Sequence, residues 1–205
     1  MHAVSQWEGS VGSELLSGYH VGDMSSTRLE PGLPAPPFQC QDLFDDEIRL
    51  EDFRGKRLLL SFFRYAGCPL CNLRILQLSR RYEKLNREGL HVLAFLESAK
   101  ENILRYVGKQ SPPFPVVPDP ERRIYDLYGV SASWKAYFKV GLNPKVMWEA
   151  LVKERLKPGK IEGKWAMVPA DFLIGPDLLI HEAFYGRDIS EHMPFERIER
   201  FLGMR

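Results

Sequence analysis

Two cysteines lie three residues apart in the run Gly67-Cys68-Pro69-Leu70-Cys71, between an apolar segment and a helical pattern. Cysteine reacts as the thiolate, and the unpaired N–H groups at a helix N-terminus lower the pKa of a thiol placed there. Pro69 suits the first helical position, where an N–H would have no partner. The spacing therefore predicts a redox pair at a helix start, with Cys68 as the more exposed, lower-pKa nucleophile.

Cys71 has a complementary role in this prediction. It follows Cys68 by nearly one helical turn and lies on the same side of the helix. A thiol in that position can attack a mixed disulfide or a sulfenic acid formed on Cys68. The product would be an internal disulfide.

Two other interpretations of the cysteine pair stay open. A structural zinc site needs four ligands, usually as two close pairs. Besides the pair, the chain has only Cys40 and no cluster of cysteine and histidine at ligand spacing. The two cysteines could also be buried as small apolar residues, as free cysteines often are. The redox interpretation requires no metal and no other cofactor.

The segments around the pair predict a strand–helix–strand unit. The run Arg57–Tyr65 is almost continuously apolar, which is typical of a strand buried on both faces. In Cys68–Arg87, apolar residues recur at helical spacing. Gly89 ends this helix, and His91–Leu96 is the next apolar run. Such a unit makes its two strands parallel and places the cysteine pair at its first turn.

The rest of the chain predicts one domain at residues 31–205, preceded by a loosely ordered Ser- and Gly-rich tail at residues 1–30. Further elements are predicted as strands at Phe38–Phe44, Ile48–Leu50 and Phe114–Val117, helices at Ser98–Gln110, Glu121–Tyr128, Ser131–Lys157 and Pro194–Leu202, and an antiparallel hairpin of Asp171–Ile174 with Leu178–Phe184.

Composition excludes several classes of partner. The 205 residues include 28 Lys and Arg against 27 Asp and Glu, a net charge of +1. This balance gives no reason to expect nucleic acid or an anionic membrane as a partner. No apolar run approaches the roughly 18 residues of a transmembrane helix, and the N-terminus lacks the pattern of a secretory signal. Three cysteines cannot form a closed disulfide framework, which predicts a cytoplasmic setting.

Several segments, in order, resemble the peroxiredoxin-like branch of the thioredoxin superfamily, the alkyl hydroperoxide reductase/thiol-specific antioxidant group. The resemblance covers roughly Leu33 to Leu202. It is carried by Ala35-Pro36-Pro37-Phe38, Leu50-Glu51-Asp52-Phe53-Arg54-Gly55-Lys56, Phe62-Phe63-Arg64-Tyr65-Ala66-Gly67-Cys68-Pro69, Tyr128-Gly129-Val130 and Val168-Pro169-Ala170-Asp171-Phe172-Leu173-Ile174.

This resemblance implies an α/β, thioredoxin-like fold with a mixed central sheet flanked by helices. Pro169 matches the cis-proline of the superfamily, and residues 131–164 form a helical insertion before its strand. The implied activity is peroxide reduction, with an external thioredoxin- or glutathione-like thiol as reductant. Thiol–disulfide exchange without peroxidase activity and a non-enzymatic binding module are the alternatives, and a homodimer is left open as the assembly.

The chain departs from the family pattern at two positions. Typical peroxiredoxins have Pro seven residues and Thr or Ser three residues before the reactive cysteine, where this chain has Ser61 and Tyr65. The Thr hydroxyl would help to hold a peroxide oxygen. Arg64 precedes Cys68 by four residues, and its guanidinium is predicted to stabilise the thiolate and orient a peroxide or carboxylate. The alternative is an Arg64 that is solvated or paired with an acidic residue.

Four further polar or ionisable residues are interpreted without a catalytic role. Cys40 lies on the predicted first strand and is expected in the core. His181 and His192 have no evident partner for acid–base or metal chemistry and are expected at the surface or in the core. Asp171 is expected to be a partly exposed strand residue, although an acid near the two thiols would help proton transfer.

Overall fold

A five-stranded mixed sheet forms the centre of the computed structural model, which describes residues 28–133, 144–164 and 166–204. The strands are β1 (Gln39–Gln41), β2 (Glu47–Arg49), β3 (Arg57–Phe62), β4 (Leu90–Leu96), β5 (Val116–Pro118), β6 (Ala170–Ile174) and β7 (Ile180–Tyr185). The helices are α1 (Pro69–Arg87), α2 (Lys100–Tyr106), α3 (Arg123–Leu127), α4 (Pro144–Trp148) and α5 (Phe195–Phe201), with short 3-10 turns at Leu50–Phe53 and Gly108–Gln110.

The strand order is β5-β4-β3-β6-β7, and β1 and β2 pair separately. β3, β4 and β5 are parallel, whereas β6 is antiparallel to both β3 and β7. Helix α1 makes the connection between β3 and β4, as the strand–helix–strand pattern predicts. The mixed sheet and the hairpin of the last two strands are confirmed.

β3 is central because its side chains are apolar on both faces. Leu59 packs on the α1 side of the sheet, whereas Leu58, Leu60 and Phe62 pack on the opposite side. All four are fully buried. Since burial of such a side chain contributes about 1.5–3 kcal/mol, this strand is a major contributor to stability. It also fixes the loop that follows Phe62, where the cysteine pair begins.

The helices divide between the two faces of the sheet. α1, α2 and α5 contribute buried side chains to one apolar core, and α3 contributes to the other. Pro69 is the first residue of α1, and the chain turns back into β4 at Gly89, where φ is +84°. A left-handed conformation there favours glycine, so the predicted end of the helix is confirmed.

The insertion is less helical than the sequence predicts. Within residues 131–157, the described helix begins at Pro144 and continues beyond Trp148 as a π-helical turn, Glu149–Lys153, while residues 134–143 lie outside the described part. Residues 154–164 form no helix, and Gly159 and Gly163 lie in this stretch. The helix predicted up to Lys157 therefore ends earlier, at Lys153.

Most of the predicted tail, residues 1–27, lies outside the described residues. The part that is described contacts the domain. The backbone N–H of Leu29 donates to the Tyr185 hydroxyl at 2.7 Å, and the Arg28 guanidinium lies 4.9 Å from the Tyr185 ring centroid. Arg28 and Leu29 thus pack on β7, and the boundary at residue 31 stays a prediction. Within the described residues, no helix has the length and apolar character needed to cross a membrane.

Candidate active site

Cys68 and Cys71 lie where the carboxyl end of β3 meets the start of α1. Cys68 is the N-cap residue of α1, with Pro69 as the next residue, and both cysteines are free thiols. The relative exposure is 1% for Cys68 and 2% for Cys71. The predicted position at a helix start is confirmed, but the prediction that Cys68 is the more exposed thiol is wrong. Both belong to the apolar core on the α1 side of the sheet.

The two thiols differ strongly in acidity. The pKa of Cys68 is lowered from 9.0 to about 6, chiefly because it accepts a hydrogen bond from Cys71. Burial opposes this shift, while the Arg64 charge and the backbone N–H groups of Leu70 and Cys71 add to it. Burial raises the pKa of Cys71 well above 9.0, and so do its hydrogen bond to Cys68 and the charge there. Cys68 is therefore suited to attack, and Cys71 holds its proton until a later step.

Arg64 contacts the reactive thiol directly. Its Nη1 donates to Cys68 Sγ at 3.4 Å, and the side chain is almost fully buried. The guanidinium lies 5.1 Å from the Tyr65 ring centroid, and the Arg64 carbonyl accepts a hydrogen bond from the Glu97 N–H at 3.0 Å. A solvated Arg64 is thereby excluded. Its role in orienting a substrate stays a prediction.

Asn72, in the first turn of α1, holds the loop in shape. Its Nδ2 donates to the carbonyl of Ala66 at 2.7 Å and to that of Cys68 at 2.9 Å. Its Oδ1 accepts from Gln110 Nε2 at 2.7 Å. Sequence reasoning missed this residue. The available signal was a polar side chain directly after the cysteine pair, on a helix face that is otherwise apolar.

A second set of hydrogen bonds joins the loop to the insertion. The N–H of Ala66 donates to Ser98 Oγ at 2.9 Å, and that hydroxyl donates to Glu162 Oε2 at 2.7 Å. Glu162 also accepts from Asn102 at the start of α2. Residues 157–164, which we call the covering segment, are thus tied to the carboxyl ends of both β3 and β4.

The covering segment also approaches the backbone of Gly67 closely. The N–H of Gly159 donates to the Gly67 carbonyl at 2.8 Å. A Cβ added at Gly67 would lie 2.6 Å from the Lys160 oxygen, which is too short for any real contact. Only glycine therefore allows this approach. The Lys160 N–H also donates to the Tyr106 hydroxyl at 3.2 Å, which fixes the segment against α2.

Pro169 lies beside this loop, as the resemblance implies. It precedes β6, and the pairing of Phe62 with Ala170 places it next to the carboxyl end of β3. Pro169 is buried, and its carbonyl accepts a hydrogen bond from the Gly186 N–H at 2.9 Å. A cis bond before Pro169 stays a prediction.

Asp171 and His192 form a buried pair that the sequence analysis did not expect. Asp171 is fully buried, so the prediction of a partly exposed residue is wrong. Its Oδ2 lies 3.0 Å from His192 Nδ1 and accepts from the Met193 N–H at 2.7 Å, and its Oδ1 accepts from Ser61 Oγ at 2.5 Å. The prediction that His192 has no partner is therefore also wrong. Two strands and a distant loop bring these residues together.

The remaining candidates lie away from the thiols. Cys40 is half-buried on β1 against the core, and burial, followed by Asp119 and Asp42, raises its pKa to about 12. His181 is half exposed and lies 4.0 Å from Asp177. The described residues contain no group of three or more His, Cys, Asp or Glu side chains that could hold a metal ion.

A buried, unequal pair of thiols at a helix start, beside a proline-led strand of a mixed sheet, defines a dithiol protein of thioredoxin-like fold. Residues 31–183 match the AhpC/TSA family, and the chain belongs to that family. The fold, the family and the class of cysteine-dependent oxidoreductase predicted from the sequence are thus confirmed.

Three similar proteins show the range of this family and fold. Peroxiredoxin Bcp of Escherichia coli (strain K12) is 28% identical over 50% of this chain and 65% of its own length. Thiol-disulfide oxidoreductase ResA of Bacillus thuringiensis subsp. konkukian is 31% identical over 60% of this chain and 69% of its own length. The structure of a thiol peroxidase from Chromobacterium violaceum matches with a TM-score of 0.60 and 15% identity, over 87% of this chain and 88% of that one.

Proposed function

We propose that this protein is a peroxiredoxin-like thiol oxidoreductase that reduces peroxides with Cys68 and Cys71. The observation that carries the proposal is the pKa of Cys68, lowered to about 6 beside a Cys71 thiol whose pKa is raised. At neutral pH this arrangement provides one thiolate and one thiol within the same turn of α1. The family relatives named peroxiredoxins support this choice of substrate.

The proposed reaction has two steps at the protein. The Cys68 thiolate attacks one peroxide oxygen, the O–O bond breaks, and the other oxygen leaves as an alcohol or water after taking a proton. Cys68 becomes a sulfenic acid. The Cys71 sulfur then attacks Cys68 Sγ and loses its proton, the sulfenic oxygen leaves as water, and an internal disulfide forms.

Two molecules of an external thiol return the disulfide to the dithiol and are themselves oxidised to a disulfide. Arg64 stabilises the thiolate and is placed to contact the peroxide, because its Nη1 is 3.4 Å from the reacting sulfur. The covering segment must open for this chemistry, since both sulfurs are almost fully buried. A thioredoxin- or glutathione-like reductant and a cytoplasmic setting, consistent with the free thiols, are part of the proposal.

A second candidate function is thiol–disulfide exchange without peroxide turnover. It is favoured by Tyr65, a buried aromatic residue at the position where the family places a Thr or Ser hydroxyl. The relative named ResA, a thiol-disulfide oxidoreductase, is consistent with this reading. In this case Cys68 would attack a substrate disulfide, and Cys71 would release the reduced product by forming the same internal disulfide.

Peroxide consumption tests the proposal. Purified protein is incubated with hydrogen peroxide or an alkyl hydroperoxide and dithiothreitol, with Cys68→Ser and Cys40→Ser as the loss and control variants. We expect turnover in the wild type and in Cys40→Ser, and none in Cys68→Ser. Insulin reduction without peroxide turnover would instead establish the exchange function. Slow alkylation of both thiols with neither activity would leave a binding module, the third alternative.

The assembly is tested separately. Whether the protein is a monomer or a homodimer is decided by light scattering after size exclusion, which measures the mass in solution.

A further inference from the structure

The helix of the insertion, α4 with the π-helical turn that follows it, carries apolar side chains on two sides. On the inner side, Ala150 is buried in the core on the α1 side of the sheet, and Val146 packs against that core. The outer side exposes four large apolar residues, Met147, Trp148, Leu151 and Val152. Their spacing places them next to one another on the helix surface. A helix that is apolar all round is normally buried, so this outer side has the composition of a contact surface.

The basic residues of the same stretch are all exposed. Between residues 144 and 157 they are Lys145, Lys153, Arg155 and Lys157. Lys145 and Lys153 lie on either side of Trp148 in the sequence, and all three line one open depression of the surface. Arg155 and Lys157 follow within four residues of Lys153, so their Cα atoms lie within about 14 Å of it. Four cations thus lie beside the exposed apolar side chains.

The two acidic residues of this stretch are half-buried and bonded to side chains of α1. Glu149 accepts a hydrogen bond from Gln77 Nε2 at 3.3 Å, and its Oε1 also lies 3.9 Å from Lys153 Nζ. The carboxylate oxygens of Glu154 accept from the Arg80 guanidinium at 2.8 and 2.9 Å. The charge presented outward is therefore positive. The net charge of +1 for the whole chain does not reveal this local concentration.

We propose that the outer surface of residues 144–157, which we call the insertion face, binds the surface of an anionic phospholipid bilayer. Trp148 and its apolar neighbours lie at the level of the headgroups, and the four cations lie against the lipid phosphates. Exposed tryptophan and aliphatic side chains beside lysines are typical of helices that lie in the membrane interface. A cluster of four or more basic residues on such a helix is typical of binding to anionic lipids.

This inference goes beyond the function proposed above and adds a location to it. The anionic leaflet of a cell membrane is the cytoplasmic one, so binding there agrees with the cytoplasmic setting that we propose. The binding is peripheral, because only one short helix takes part in it.

The kind of cation favours a lipid surface over a protein partner. Three of the four basic residues of the insertion face are lysines. Lysine is depleted in protein–protein interfaces, whereas arginine is enriched there. The planar arginine side chain recognises fixed groups through paired hydrogen bonds, whereas the lysine ammonium group is a flexible point charge. Such charges suit a fluid layer of phosphates, in which no partner group has a fixed position.

Vesicle flotation tests the proposal. The full-length protein is mixed with vesicles of phosphatidylcholine alone, or of phosphatidylcholine with phosphatidylglycerol. We expect it to float with the mixed vesicles only. Most of this binding should be lost when the salt concentration rises from about 0.1 M to about 1 M, because the Debye length falls from about 10 Å to about 3 Å. No binding to either vesicle, or equal binding to both at either salt concentration, would overturn the proposal.

Variants of the insertion face separate the charged contribution from the apolar one. Lys145→Gln combined with Lys153→Gln should weaken binding to the mixed vesicles about 25-fold, because each lysine near an anionic surface contributes a factor of about five. Trp148→Ala should weaken it about tenfold, because the variant loses the largest apolar side chain at the headgroups. All three residues are exposed, so these changes do not threaten folding.

The matched control is Lys56→Gln combined with Arg87→Gln. Both residues are exposed, and they lie where the end of α1 meets the start of β3, since Arg57 donates to the Glu88 carbonyl at 3.3 Å. This control removes the same charge from the chain as the double lysine variant does. It should bind the mixed vesicles like the wild type. An equal loss of binding in the control would show that only the total charge matters and would overturn the proposal.

Two other occupants of the insertion face give different results. If the wild type is a dimer in solution and Trp148→Glu is a monomer, the face joins two copies of this chain, and the proposal is overturned. If poly-L-glutamate competes with the mixed vesicles at an equal concentration of charge, the face recognises an acidic polypeptide, which also overturns it. None of these measurements depends on peroxide turnover or thiol exchange, so they test the insertion face independently of the proposed function.

Discussion

Replacing Arg64 by Met should raise the pKa of Cys68. With a pKa of about 6, roughly nine tenths of Cys68 is thiolate at pH 7, whereas a free cysteine of pKa about 8.5 is only about 3% thiolate. An opposite charge within about 4–6 Å typically shifts a pKa by about 1–3 units. The hydrogen bond from Cys71 lowers the Cys68 pKa more than the Arg64 charge does, and burial opposes both. We therefore expect the loss of Arg64 to raise the Cys68 pKa by about one unit, the low end of that range.

This rise in the Cys68 pKa should slow alkylation of the variant at low pH but not at high pH. At pH 6, the thiolate fraction falls from about one half to about one tenth when the pKa moves from about 6 to about 7, so alkylation slows about fivefold. At pH 9 both proteins are almost fully ionised and should react at the same rate. The measurement is the iodoacetamide rate on Cys68 against pH, with the modified residue assigned by mass spectrometry.

The controls separate charge from access. Arg64→Lys keeps the cation and should retain most of the lowered pKa. Arg80→Met removes a cation from the exposed side of α1, where Arg80 pairs with Glu154, and should leave the profile unchanged. If Arg64→Met is equally slow at pH 6 and pH 9, Arg64 controls opening rather than ionisation. An unchanged profile refutes the electrostatic argument.

Three further predictions concern the surroundings of the thiols. Cys71→Ala should raise the Cys68 pKa and prevent the internal disulfide. Mass analysis after one equivalent of peroxide should then show an added oxygen rather than the loss of two hydrogens. An unshifted Cys68 pKa would contradict the assigned hydrogen bond from Cys71. Gly67→Ala should lower the free energy of unfolding in urea by about 1–3 kcal/mol and speed alkylation of Cys68, because the added Cβ forces the covering segment away. An unchanged alkylation rate would show that the covering segment does not limit access to Cys68. Asp171→Asn should lower the free energy of unfolding by about 3–5 kcal/mol at pH 7.

The Asp171 variant also has a defined pH dependence. Burial would raise the pKa of this carboxyl, but His192, Arg74 and Ser61 together hold it below 3.8. A lowered pKa contributes stability that is present above the unfolded value and lost as the pH falls through the folded one. The difference between wild type and Asp171→Asn in free energy of unfolding should therefore shrink below about pH 4. A difference that is constant from pH 7 to pH 3 would mean that the carboxylate charge is not involved.

The sequence by itself determined the parts of this protein that depend on local pattern. The apolar run after Gly55, the helical spacing after Cys68 and Gly89 were enough to define the strand–helix–strand unit and the thiol pair at its turn. Each signal is local, because burial on both faces, a helix start and a left-handed turn leave a mark within a few residues. Arg64 was found for the same reason, since only the three loop residues Tyr65, Ala66 and Gly67 separate it from Cys68.

Tertiary structure alone decided exposure and long-range pairing. Cys68 is buried rather than exposed because it lies in the apolar core on the α1 side of the sheet, and residues 157–164, distant in sequence, contact the same loop at Gly67. Asp171 is a buried hydrogen-bond acceptor because strand register places Ser61 opposite it and the segment after β7 brings His192 to its other side. Hydrophobic periodicity carries no information on which polar side chain will meet another across the sheet. These contacts exist only once the chain has folded around β3.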